Sequence, residues 1–346
     1  SYPDDKGIEQ DPRVIFAEDF EGGDLASLLA RWTSTRNKEG MSLAADSPPA
    51  SSGTRALQMT RLGGSDTGGA VTKRLWEIGE DHHEQLFFRY YIKLDAAVMG
   101  ARNKPDSSDP CSGVDGQAGQ GYLSGSHSHT GGGLAGVNHN CSWGMGRAGI
   151  RPTGGSFTPD CPSDSNHPIY DNRFSARLEV YTSACDDFRN DRIDFYSYWM
   201  GMHKNASSSS YYGNSFVNDY ALKFPREQWT CVEIMLKLNN PHSAQSGELK
   251  LWVDGKLISH LQQGSPQGKW LHSAFLPQSS SGYAWNEANF PWPMSQVTLA
   301  PFEGFQWRDS DTLKLNTFSL AYYVTKDLQG NARVWYDNVV VATEYI

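Results

Sequence analysis

No run of apolar residues in this chain reaches the length that a membrane-spanning helix needs. Amphipathic helices are nearly absent as well, and only Leu25 to Trp32 reads as one short helical stretch. Positive charge is in deficit: 30 Lys and Arg stand against 39 Asp and Glu, for a net charge of −9. Nothing supplies a basic stripe, which excludes a general role on nucleic acid. Cysteine is scarce. The five present, Cys111, Cys141, Cys161, Cys185 and Cys231, match no zinc-finger spacing. The Gly131-Gly132-Gly133 run has neither the following helix nor the Lys-Ser/Thr pair of a phosphate loop.

What the chain does have is a succession of short β-patterned runs. They begin at Val14-Ile15-Phe16, Ala56 to Met59 and Gly69 to Val71, and the run from Gln85 to Leu94 is strong. Trp229 to Leu238 alternates, with Cys231, Glu233, Met235 and Lys237 on one face and Val232, Ile234, Leu236 and Leu238 on the other. Glu248 to Val253 turns at Asp254-Gly255 into Lys256-Leu257-Ile258, a strong hairpin signal. Leu313 to Tyr323 and Ala332 to Ala342 close the chain. Many strands joined by Gly, Pro and Asn turns predict an all-β fold, a two-sheet antiparallel β-sandwich or jelly roll with long loop insertions. The 346 residues suit one large domain, and 38% hydrophobic content with 12% aromatics supports its core. Residues from about 103 to 172 show little periodicity and are expected to form a cysteine-containing insertion. Ser207 to Asn214 and Leu271 to Trp307 read as two further loops.

A long loop gains most from a staple, so one disulfide is expected among Cys111, Cys141 and Cys161, with Cys185–Cys231 as a second and one thiol left over. The start at Ser1-Tyr2-Pro3 fits a mature chain after removal of a signal peptide, although a trimmed chain would look the same. The expected location is secreted or periplasmic. A monomer is expected, with no membrane or nucleic-acid partner.

Two runs concentrate polar tips. In the first, Arg173, Ser175, Arg177, Glu179 and Tyr181 share one face; in the second, Tyr196 and Tyr198 do. If the strands pair with those faces together, one surface carries guanidinium, carboxylate, hydroxyl and phenol groups that a dry core would not tolerate unpartnered. A groove for an acidic, hydroxyl-rich polymer would use them. Positive groups would then have to be focused locally in a chain that is negative overall.

The opening Glu18-Asp19-Phe20-Glu21-Gly22-Gly23-Asp24-Leu25 with Trp32, and the ending Trp335-Tyr336-Asp337-Asn338-Val339-Val340-Val341, resemble the first and last strands of concanavalin-A-like jelly rolls. The strands at Leu86 and Trp229 and the Asp-Gly hairpin fit the same pattern. The resemblance implies that the two chain ends meet. It also implies a structural Ca2+, for which Glu18, Asp19, Glu21 and Asp337 are the oxygen donors, unless they are simply surface acids. No cofactor for catalysis is implied. More narrowly, Ser175-Ala176-Arg177 followed by Tyr196-Ser197-Tyr198 resembles the polysaccharide-lyase branch, the alginate-lyase-like enzymes of mollusc and chlorovirus type. Those enzymes carry a lysine upstream in a Lys-Leu-Pro-Gly run. Lys104 is the candidate here, or else Gly133-Leu134-Ala135-Gly136 stands in place of that run and has no lysine.

That resemblance implies β-elimination from a uronate-containing polysaccharide. Arg177 would neutralise the uronate. Tyr196 and Tyr198 would supply base and acid if nearby cations lower a phenol pKa. His167 could be the base instead, or orient substrate together with Ser175 and Arg173, with Glu179 beside them. Ordinary sheet tyrosines and an Arg177–Glu179 ion pair are the plainer alternative. Hydrolysis needs two carboxylates; the Glu-x-Asp-x-x-Glu strand of laminarinase-type relatives is absent, and only Glu179 with Asp194 offers a pair. A non-catalytic glycan-binding module is the other class. His127-Ser128-His129 with His139 could bind a metal, since His-x-His on a strand puts both rings on one face, or could be loop histidines by chance. Trp143, Trp199, Trp285, Trp292 and Trp307 fall in or beside loops, and at least two are expected to line a sugar groove.

Overall fold

The computed structural model describes residues 5–49, 51–96, 128–137, 149–155, 172–181, 192–205, 210–217, 222, 224–278, 298–324 and 330–346. Strands are numbered in chain order. The larger sheet runs β12 (Lys256–Leu261), β11 (Glu248–Val253), β10 (Trp229–Lys237), β6 (Gln85–Leu94), β17 (Ala332–Ala342), β4 (Ala56–Arg61) and β3 (Met41–Ala44), and β1 (Val14–Glu18) also pairs with β17. The second sheet runs β2 (Ser34–Arg36), β5 (Thr67–Arg74), β16 (Thr317–Val324), β7 (Ser128–Gly136), β8 (Phe174–Tyr181) and β9 (Arg192–Tyr198). A small third sheet joins β14 (Ala274–Pro277), β13 (Gln267–Leu271) and β15 (Ala300–Pro301). All of these pairings are antiparallel.

The two large sheets pack as a sandwich, as the alternation of the sequence requires. On β6, Leu86, Phe88, Tyr90, Ile92 and Leu94 are buried while the residues between them are half-exposed. Val232, Ile234 and Leu236 of β10 join them, and Phe318, Leu320 and Tyr322 of β16 meet them from the second sheet. Phe174, Ala176, Leu178 and Val180 line the inner side of β8. The side chains at 175, 177 and 179 therefore point away from the core.

Several local readings change. The helix is only Leu25–Leu29, opened by Asp24, whose carboxylate accepts from the Ser27 N–H at 2.8 Å. The last stretch but one is extended only from Thr317, and β14 and β15 fall within the third predicted loop. The largest difference is β7. Ser128–Gly136 lies within the stretch read as aperiodic, yet it is an interior strand between β16 and β8. Its glycines are what the packing demands. A Cβ on Gly131 would lie 2.2 Å from the Leu178 carbonyl oxygen, one on Gly132 2.8 Å from the Phe88 and Tyr90 rings, and one on Gly133 2.4 Å from the Ala176 oxygen. Gly131 also holds φ +146°. The Gly132 N–H donates to the buried Tyr90 hydroxyl at 2.9 Å.

Cys231 is a free thiol, so the expected bridge to Cys185 is not made. It sits on the outer face of β10, where burial pushes it up to about 12, and its cross-strand neighbour is Tyr91. The other four cysteines lie outside the described residues. No helix among the described residues is long and apolar enough to cross a membrane.

Candidate functional site

The register of the second sheet assembles the site. Arg177 pairs with Tyr196 across β8 and β9, Ser175 with Tyr198, and Glu179 with Asp194. On the other side of β8, Gly133 faces Arg177. The predicted coincidence of the two polar faces is present. Gly133 has no side chain, and a Cβ there would lie 2.8 Å from Arg177 Cγ, so the Arg177 side chain packs across it.

A residue that the sequence reading left among possible metal ligands stands at the centre. His129, on β7, brings Nδ1 to 2.7 Å from both oxygens of Glu179. Glu179 is 2% exposed and also accepts the Arg177 guanidinium, Nη2 to Oε1 at 3.0 Å. A carboxylate only accepts, so Nδ1 is the donor in these contacts. The ring is held on both sides, stacked on Tyr323 of β16 at 5.5 Å and meeting the edge of Tyr196 at 4.9 Å. The Arg177 guanidinium lies 5.3 Å from the Tyr196 ring centre, and that of Arg173 lies 4.6 Å from the Tyr198 ring centre. The two phenol oxygens are 3.3 Å apart. Gly213 closes this edge, because a Cβ there would lie 2.5 Å from the Tyr196 ring.

The tips differ in access. Arg177 keeps 24% of its side chain exposed and His129 11%, and Tyr196 is half-buried. Arg173, Ser175, Glu179 and Tyr198 lie beneath them, each at 3% exposure or less. Burial pushes the Tyr196 phenol well above its ordinary value, and Tyr198 and Glu179 push the same way. Burial also raises Tyr198; the Tyr196 hydrogen bond and the charges of Arg173 and Arg177 lower it, but do not cancel the burial. The expected lowering by cations is thus present and outweighed, and both hydroxyls keep their protons at neutral pH.

Both carboxylates of the two-carboxylate alternative are engaged by the protein. Asp194 is 4% exposed, and its Oδ1 accepts the N–H groups of Phe195, Phe216 and Val217 at 2.7–2.8 Å. It fastens the segment beyond β9, while Glu179 is held by His129 and Arg177. Trp199 cannot stack on a sugar: it is fully buried, and its Nε1–H donates to Asn214 Oδ1 at 3.2 Å. Trp307 is likewise in the core. Ser175 is fully buried, with its Oγ sealed under the site rather than open to substrate. Lys104, His167, Trp143, Trp285, Trp292, His127 and His139 lie outside the described residues. The signal that could have found His129 was the His-x-His alternation. It placed the ring on a strand face but could not say that Glu179 would lie opposite.

At the chain ends, β1 and β17 do pair, with Glu18 opposite Val339. All four predicted cation ligands already accept hydrogen bonds, Asp19 Oδ1 from the Glu21 N–H at 3.0 Å and Asp337 Oδ1 from the Asn338 N–H at 2.8 Å. Glu18 accepts from the Phe20 N–H at 3.0 Å and from Arg31 at 2.8 Å, and Glu21 accepts from the Thr54 and Arg55 N–H groups at 2.7 and 2.6 Å. The donors that fit a hard cation are Asp337, whose buried Oδ2 has no partner, and Asp19. A cavity next to Asp19 is lined by Asp5, Glu9, Glu18, Arg31 and Asn338, with the Arg31 cation among the acids.

No family model matches the chain, and no curated protein matches it in sequence. Among solved structures it is similar to the alginate lyase Aly36B, at 12% identity over 95% of each chain with a TM-score of 0.48. It is similar to the alginate lyase vAL-1 from Chlorella virus, at 12% identity over 96% of this chain and 100% of that one, with a TM-score of 0.49. It is also similar to the endo-beta-1,4-glucuronan lyase of the fungus Trichoderma reesei, at 14% identity over 96% of each chain with a TM-score of 0.43.

Proposed function

We propose that this protein cleaves a uronate-containing polysaccharide by β-elimination on the open face of the second sheet. The observation that carries this reading is the His129–Glu179–Arg177 arrangement, with Nδ1 at 2.7 Å and Nη2 at 3.0 Å from one carboxylate and the Tyr196 ring against both partners. Arg177 turns part of its guanidinium from Glu179 to the substrate carboxylate and neutralises it, which acidifies the neighbouring C5–H. His129 Nε2 takes the C5 proton, and Glu179 stabilises the imidazolium that forms. The C5–H electrons become the C4=C5 double bond, the C4–O bond breaks, and the leaving oxygen receives the Tyr196 proton. A phenol held above its ordinary pKa stays protonated until that moment. Tyr198 and Arg173 support Tyr196 from below. Substrates of polymer size place the activity outside the cytoplasm.

The test is direct. Incubation with alginate, glucuronan and pectate should raise the ultraviolet absorbance of unsaturated uronate ends on at least one polymer, and Arg177→Ala and His129→Gln should each slow the rise by about 10²-fold or more. New reducing ends without that absorbance would mean hydrolysis, and binding with neither signal would mean a lectin-like module.

A further inference from the structure

The chain is negative overall, so cations without acidic partners stand out. Arg151 and Lys204 are both exposed, and neither forms an ion pair or hydrogen bond among the described residues. They come instead to one aromatic ring: the Arg151 guanidinium lies 5.6 Å and the Lys204 ammonium 5.5 Å from the centre of Tyr211. Two like charges converging on one ring repel each other, and an anion between them would relieve that cost.

Their position continues the site. Arg173, under Tyr198, donates from Nη2 to the carbonyl of Ile150 at 3.4 Å, and Arg151 is the next residue. The segment at Gly149 bridges Tyr211, whose N–H donates to the Gly149 oxygen at 3.1 Å. Tyr211 lies two residues before Gly213, the residue on which the Tyr196 ring rests, a distance of about 7 Å along extended chain. Asn214 bridges Ser197 on β9, so this segment forms the rim beyond the sheet edge. The Arg151–Lys204 pair is thus joined to the site twice, to Arg173 through Ile150 and to Tyr196 through the segment from Tyr211 to Gly213. Aromatic support also fixes Arg177, Arg173 and Arg151 in place, on Tyr196, Tyr198 and Tyr211.

We propose that Arg151, Lys204 and Tyr211 form a second anionic subsite, which holds the carboxylate of a uronate neighbouring the one that is cleaved. This rests on the reading of the His129 site as a uronate site, and it extends that reading from a single acidic residue to a run of them. The preferred substrate is then a block of consecutive uronates, and a lone uronate among neutral sugars binds less well.

The experiment compares the wild-type chain with the Arg151→Ala/Lys204→Ala double variant and with Arg151→Lys. All three changes are at exposed positions and should leave the melting temperature unaltered. Calorimetric binding of alginate, glucuronan and pectate oligosaccharides should weaken about tenfold in the double variant. KM should rise by a similar factor with kcat unchanged, and the dependence of binding on salt should flatten. Arg151→Lys should retain most of the affinity, and binding of neutral cello-oligosaccharides should not change. Equal affinity and equal KM in wild type and double variant would overturn the subsite while leaving elimination intact. A wild type that eliminates none of the polymers, yet loses affinity in the double variant, would overturn the lyase reading and keep the subsite. A wild type that binds no acidic oligosaccharide would overturn both.

Discussion

Glu233 offers the sharpest quantitative check on the packing, and it lies on the sheet that the site does not use. It sits on the outer face of β10, 5% exposed, opposite Arg89 of β6 and Trp252 of β11. Burial pushes its carboxyl from 4.5 up to about 7; Arg89 pulls it down and Asp5 pushes it up. Arg89 is already committed to Asp5 at 2.5 Å and to the Ile346 carbonyl oxygen at 3.2 Å. The folded state thus binds a proton between 4.5 and about 7 that the unfolded chain has released. Stability contributed here is complete at low pH and is lost as pH rises through that window. The interval of about 2.5, at about 1.4 kcal/mol for each pH unit, sets a ceiling near 3.5 kcal/mol, and local relaxation brings the expected cost to about 1–3 kcal/mol. Glu233→Gln removes the charge and keeps the shape. Urea denaturation should show the variant about 1–3 kcal/mol more stable than wild type near pH 8.5, with the two converging near pH 4. A variant no more stable than wild type at the higher pH would refute the buried, poorly partnered carboxyl. A perturbed carboxyl is often a sign of function; this one faces away from His129, and its substitution should leave activity unchanged.

Three further outcomes are expected. His129→Gln should lower kcat by about 10²–10⁴ with KM changed only a few-fold, since it removes the base and leaves Arg177 in place; a loss confined to KM would assign the ring to binding. Gly131→Ala should destabilise the fold by about 2–4 kcal/mol in thermal or urea unfolding, because the new Cβ would meet the Leu178 oxygen at 2.2 Å on a backbone with φ +146°; an unchanged midpoint would mean that β7 is not packed this way. Calcium at a hundredfold excess over its dissociation constant should stabilise by about 2.7 kcal/mol, read as a higher melting temperature, and Asp337→Asn should cancel that gain; equal melting with calcium and with chelator would remove the cation from the chain ends.

Most strands of the larger sheet were legible where one face is buried and one is not, as in Gln85–Leu94, whereas the short edge strand Met41–Ala44 was not. The Asp254-Gly255 turn and the polar faces around Arg177 and Tyr196 were legible for the same local reasons. Strand β7 was not, since its Gly131-Gly132-Gly133 run carries no period and matches turn composition better than strand composition. Trp199 was misread because a tryptophan after a strand looks alike whether it meets solvent or, as here, the core beside Phe302 and Phe305. The protonation of the two tyrosines depends on how deeply they are buried, which no spacing encodes.

By itself the chain determined which residues could occupy one face of a strand, because side-chain alternation follows from backbone geometry alone. It thereby determined that Arg177 and the two tyrosines could form a polar surface on an all-β frame. Only the tertiary structure decided that β7 slides between β16 and β8. That insertion sets His129 against Glu179, 50 positions away in sequence. Contacts at that separation depend on strand order and register, and these are settled by the packing of the whole sandwich rather than by any one segment.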